Sequence, residues 1–200
     1  AAHGSAAFTL LDAVLCLSLL AILLVNVALA VNSATRFTSE STSTVVLEDQ
    51  ARAALDRIAY AIMGSDRGTL IPDAEAPMHT NDLDYRISLG VENGVVVWAD
   101  PERIGLGAVE TQLLWRSNPD APEERRVVWS NLLRDFLEGE LPNGVDDNGN
   151  GLVDEKGLSF VIFKNSVTIH LTLEKELEGG RHVTETVSTV VTCRNLGPGP

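Results

Sequence analysis

Between residues 6 and 31 the chain is apolar almost without interruption, and the only charged side chain in that stretch is Asp12. The other polar side chains there are Thr9, Cys16, Ser18 and Asn26. At about 1.5 Å of rise per residue, a helix of this length crosses a hydrocarbon core of roughly 30 Å. The chain must therefore place one greasy helix in lipid or against other greasy helices. No Gly or Pro occurs between Phe8 and Met63, and beyond residue 31 the apolar residues thin into a stripe: Val45, Leu47, Ala51, Ala54, Leu55, Ile58, Ala59 and Ile62. Their spacings, mostly of three and four, predict that the helix continues as an amphipathic one. One helix over 8–65 is expected, apolar in its first half, amphipathic in its second, and ended by Gly64-Ser65 and Arg67-Gly68. Residues 32–44 are rich in Ser and Thr, weak helix formers, so unwinding is expected near 32–35.

Asp12 separates the explanations for this segment. A secretory signal peptide is shorter and does not run on into an amphipathic helix. A plain anchor gives no reason for an acid near its start. An ionised carboxylate at the centre of a bilayer costs about 2.5 to 3.5 kcal/mol on insertion scales, and so calls for a basic partner. The alternative is an acid resting at headgroup level.

Phe8-Thr9-Leu10-Leu11-Asp12, followed by Ala13-Val14-Leu15 and the apolar run, resembles the Phe-Thr-Leu-Ile-Glu start of type IV pilins and type II secretion pseudopilins. In that family a prepilin peptidase cuts before the Phe, the new amine is methylated, and the acid pairs with the N-terminal amine of a neighbouring subunit. The resemblance implies that Asp12 is the pairing acid and Phe8 the first mature residue. Asp stands where the family has Glu, which shortens the reach, and Ala7 stands where it has Gly. Ala1 reads as a processed end, which makes 1–7 an extension ahead of the motif and leaves cuts before Ala1, after Gly4 or before Phe8 as alternatives.

From residue 68 the chain changes to short alternating runs between turn residues, the period of strands. Tyr85, Ile87 and Leu89 alternate, Asn93-Gly94 suits a two-residue hairpin turn, and 95–98 returns. Runs 109–115 and 127–129 read as two further strands around a polar loop, and 132–137 fits either a strand or a helical turn. Phe160 and Ile162 alternate, then Val167, Ile169, Leu171 and Leu173 share one strand face. Gly179-Gly180 turns the chain back through Val183, Val187, Val191 and Cys193. The fold class is therefore α+β: a long N-terminal helix whose amphipathic half covers an antiparallel sheet head over 66–194, with an extended tail at 195–200. The pilin family has the same layout.

The local motif with the most chemistry is Asp146-Asp147-Asn148-Gly149-Asn150-Gly151-Leu152-Val153-Asp154, inside an acidic loop over 143–157. Against the calcium-loop template, Asp146, Asn148 and Asn150 fall at places one, three and five. Gly151 falls at the sharp turn, the Leu152 carbonyl at seven and Asp154 at nine. Gly157 stands where the template has its bidentate Glu, so Asp154 or Glu155 must substitute, or a donor such as Asn143 must come from outside. Calcium is the expected cofactor, at extracellular, roughly millimolar concentration. A solvated turn uses the same residue types.

The rest is less specific. Lys+Arg 15 against Asp+Glu 28 gives a net charge of −13, which repels nucleic acid. Cys16 and Cys193 are too far apart in the chain to suggest a disulfide and form no zinc pattern. His170 and His182 are expected near each other across the final hairpin, and Trp98, Trp115 and Trp129 are expected in the core. No nucleophile motif, phosphate loop or catalytic carboxylate pair stands out, so an enzyme is not expected. The expectation is a structural subunit of a type IV pilus-like filament. It starts in the inner membrane, is processed by prepilin peptidase and handled by the inner-membrane assembly machinery, then forms an extracellular or periplasmic helical polymer with copies of itself. A minor pseudopilin of a secretion pseudopilus and a membrane-anchored binding head are the alternatives.

Overall fold

The computed structural model describes residues 10–73, 76, 78–177 and 179–193. Phe8, the extension 1–7 and the tail 195–200 lie outside the described residues. The chain divides into two compact units, 1–43 and 44–200. A single helix, α1 (Leu10–Met63), occupies the described part of the first unit and opens the second.

The expected unwinding near 32–35 does not occur, because α1 is unbroken there. The hydroxyls of this patch are turned inward to the helix itself. Thr35, Thr38 and Thr42 each donate to the carbonyl four residues back, at 2.8, 2.9 and 2.8 Å. Asn26 Nδ2 does the same to Ile22 at 2.9 Å, so polar side chains in and after the apolar run satisfy themselves locally.

In the second unit, α1 buries Leu47, Ala51, Ala54, Leu55, Ile58 and Ile62, one face at helical spacing. A fully buried Leu or Ile contributes about 1.5 to 3 kcal/mol, so this face outweighs the helix's indifferent propensity. The helix ends at Met63, where Gly64 N donates to the Tyr60 carbonyl and buried Ser65 Oγ to that of Ile62. A short 3-10 turn, Arg67–Thr69, follows with Asp66 as its cap.

Ten strands complete the head: β1 (His79–Thr80), β2 (Leu83–Tyr85), β3 (Ser88–Glu92), β4 (Val95–Trp98), β5 (Glu102–Leu106), β6 (Leu113–Ser117), β7 (Arg125–Ser130), β8 (Leu158–Phe163), β9 (Ser166–Leu177) and β10 (Arg181–Thr192). They form two four-stranded antiparallel sheets, β1-β8-β9-β10 and β2-β5-β6-β7, and a separate hairpin β3-β4. The core is one cluster that joins the α1 face to Leu158, Phe160, Ile162, Val167, Ile169, Leu171 and Leu173 of the first sheet and to Leu83, Tyr85, Ile104 and Leu113 of the second. The long α1 face and the antiparallel sheets establish the α+β class.

Both glycine or asparagine turns hold. Asn93 and Gly94 have φ of 51° and 79°, and Gly179 and Gly180 have 86° and 72°, the left-handed values such turns require. The alternation at Tyr85, Ile87 and Leu89 is cut in two, because β2 and β3 belong to different sheets. Residues 109–112 are turn, and strand begins only at Leu113. The 132–137 segment is neither strand nor helix, but is tied in by single bridges Leu133↔Leu173 and Phe136↔Lys156. The tryptophans are half-buried, with Trp115 and Trp129 against the core. Trp115 Nε1 and the Tyr85 hydroxyl both donate to Glu102 Oε2, at 2.9 and 2.5 Å. Burial, reinforced by that bond to Glu102, pushes the Tyr85 phenol far above its usual range.

The apolar helix and the acidic loop as candidate functional sites

Residues 10–31 of α1 expose nearly every side chain, Leu10, Leu11, Val14, Leu15, Leu17, Leu19, Leu20 and Ile22 among them. The helix is long and apolar enough to cross a membrane. An apolar surface of this extent needs a partner phase, lipid or protein. Asp12 lies exposed in the first turn, where the free N–H groups of a helix favour negative charge. Phe8, which the resemblance makes the first mature residue, lies outside the described residues.

The 140–155 segment is organised by carboxylates that collect backbone N–H groups. Asp146 Oδ1 accepts from Gly149 and Asn150 at 2.6 and 3.2 Å, and its Oδ2 from Gly151 at 2.8 Å. Asn148 Oδ1 accepts from Asn150 N, and Asn150 Oδ1 from Leu152 N, at 3.0 and 2.8 Å. The alternate residues thus wind the chain round Asp146, with φ of 75° and 88° at Gly149 and Gly151. Asn150 Nδ2 donates to Glu155 Oε1 at 2.5 Å, which brings the fifth and tenth places of the template together.

Asp154, at φ 53°, does something else. Its Oδ1 accepts from Asn143 N and Gly144 N, both at 3.1 Å, and its Oδ2 from Gly144 N at 3.0 Å. Asn143 Nδ2 and Leu141 N in turn donate to Asp147 Oδ2 at 2.8 and 3.2 Å, so Asn143 is spent on the turn over 141–144. Glu140, only 2% exposed, was not legible as part of the motif, because it stands six residues ahead of the template's first place. Its two oxygens accept from Asn148 N and Asp154 N, each at 3.1 Å, and clamp the two limbs of the loop.

The loop is seated on the head. Leu152 and Glu155 are buried, Leu137 N donates to the Glu155 carbonyl at 2.9 Å, and His79 Nε2 contacts the Val153 carbonyl at 3.1 Å. Glu155 has no solvent exposure, yet its Oε2 has no hydrogen-bond partner. Among the described residues no group of three or more His, Cys, Asp or Glu side chains is placed to hold a metal ion. The loop's donor set is of another kind, carboxylates with amide and main-chain oxygens, and an orphaned buried carboxylate oxygen beside it fits a hard cation such as calcium.

The other marked residues are not brought together. On the β9-β10 register His182 opposes Glu176 and His170 opposes Ser188, so the two histidines stand well apart. His182 Nδ1 instead lies 3.3 Å from Glu174 Oε1, and burial pulls the His170 pKa below its usual value. Cys16 is exposed, Cys193 is buried, and both are free thiols. Burial pushes the Cys193 thiol up. Compared with known proteins, the chain matches no family model, no curated protein and no solved structure.

Proposed function

We propose that the chain is a pilin-like structural subunit that is held in a membrane by the first half of α1 and assembles with copies of itself by packing those helices into a filament core. The observation that carries this reading is an apolar helical surface over 10–31 with one carboxylate in its first turn, continuous with a helix whose second half is buried in a β-rich head. The Phe8 to Asp12 motif supports the same family, and with it processing by prepilin peptidase, handling by inner-membrane assembly machinery and a final extracellular or periplasmic place. Asp12 neutralises a basic group of a neighbouring copy as the helices leave the membrane. Calcium orders the 146–155 loop of the head at extracellular concentrations. A membrane-anchored binding head is the second reading, favoured by the β3-β4 hairpin, which exposes Leu89, Val91 and Val95.

Two full-length copies carrying different C-terminal tags, expressed together and extracted in mild detergent, distinguish the readings. Subunits of one polymer are expected to co-isolate through either tag, and Leu19→Asp in the apolar run is expected to abolish it. Recovery of each tag alone from the wild-type pair favours the solitary anchored head.

A further inference from the structure

We infer that Glu155 supplies the carboxylate that closes the calcium site, and that Asp154, at the template's ninth place, is a latch for the preceding turn rather than a ligand. The inference rests on the calcium reading above and assigns its ligands. Three observations carry it. Glu155 is fully buried, one of its oxygens meets Asn150 of the loop at 2.5 Å, and the other has no hydrogen-bond partner. A buried carboxylate oxygen left unpaired is strongly unfavourable, and a cation bound against it removes the penalty.

The second observation is where the carboxylates turn: Asp146 collects N–H groups of the loop's own bend, at 149–151, whereas both oxygens of Asp154 hold the N–H groups of the 143–144 turn ahead of the loop. Glu140 gives one oxygen to each limb, to Asn148 N and Asp154 N, which makes it a positioning residue. The third is the reason the template's twelfth place is glycine. A Cβ on Gly157 would lie 2.0 Å from the Arg134 carbonyl oxygen, so no side chain of any kind fits there. The carboxylate that the twelfth place normally provides is therefore moved two residues earlier, to Glu155, which reaches the fifth-place residue from inside the head.

The resulting set is Asp146, Asn148, Asn150, the Leu152 carbonyl and Glu155, with two negative charges for a divalent cation. Because Glu155 belongs to the buried side of the loop, calcium fastens the loop to the β-sheet head instead of stiffening an isolated surface turn.

Calorimetric titration with calcium chloride of the full chain in detergent, after removal of metal by chelation, tests the assignment. Wild type is expected to bind one calcium, Glu155→Gln to bind at least about 10-fold more weakly, and Asp154→Asn to stay within about threefold. Thermal unfolding in chelator supplies a second reading: Glu155→Gln is expected to match or exceed wild type, because it removes a buried charge, and to lose the stabilisation that calcium gives wild type. Wild-type affinity in Glu155→Gln, with binding lost in Asp154→Asn, overturns the assignment while leaving the site. Absence of calcium binding by wild type up to about 10 mM, above the weakest extracellular sites, overturns the calcium reading and the assignment together. Should Glu155→Gln not fold, Glu155→Asp keeps the charge but shortens the reach, and the same order of affinities is expected of it.

Discussion

Asp12→Ala is expected to leave the head folded and its calcium response unchanged while assembled fibre nearly disappears. Asp12 is exposed, lies in the first unit, 1–43, and is outside the set of buried residues that makes the core of the head. In the proposed filament the same carboxylate would be packed among apolar helices, where loss of one member of a charge pair costs about 3 to 5 kcal/mol, more than about 100-fold in each subunit contact. Fibre yield, measured in material sheared from cells, reports the loss, and thermal unfolding of the extracted chain reports the intact head. Asp12→Glu is the control. It supplies the Glu that pilins carry at this place in their motif, with its longer reach, and is expected to assemble at least as well as wild type. Normal yield from Asp12→Ala removes the carboxylate from the assembly step.

The largest effect on the head itself is expected from Gly157→Ala. The new methyl meets backbone, the carbonyl oxygen and carbon of Arg134 at 2.0 and 2.9 Å, so no side-chain rotation relieves it. The neighbourhood has little freedom to move: Thr172 N donates to the Gly157 carbonyl at 2.7 Å, and Arg134 N donates to the Thr172 carbonyl at 3.0 Å. Opening this junction separates β8 and β9 from the 132–137 segment at the point where the acidic loop joins the core. A loss of about 3 kcal/mol or more is expected, which lowers the unfolding temperature of a chain this size by about 6 to 12 °C. Gly64→Ala offers the contrast. Its nearest neighbours stand at 3.5 Å, ordinary contact, and its unfolding temperature is expected to stay close to wild type.

Several elements could be read directly from residue order because the physics that makes them is local. The helix followed from an uninterrupted run without Gly or Pro, and its buried face from Leu47 to Ile62 followed from spacing. The turns at Asn93-Gly94 and Gly179-Gly180 followed from the positive φ they demand. The features that escaped depend on contacts distant in sequence. Nothing local says that Tyr85 and Leu89 end in different sheets, or that His170 lies opposite Ser188 rather than near His182, since register is set by the whole β9-β10 pairing. Propensity alone made 32–35 look weak, and the back-donation of Thr35 and its neighbours to the helix overrode it. In the acidic loop, the alternating oxygen donors were visible as a pattern. The separate duties of Asp154, Glu155 and Glu140 were not, because each is decided by burial and by which N–H groups lie near.

The claim that this chain builds a filament through its apolar helix is tested most directly by electron microscopy of material sheared from cells, combined with the N-terminal sequence and mass of the chain recovered from it. Uniform fibres made of this chain, with its apolar helix retained and its N-terminus fixed by the sequencing, are the predicted result. Fibres that lack the chain, with all of it left in the membrane fraction, would contradict the account.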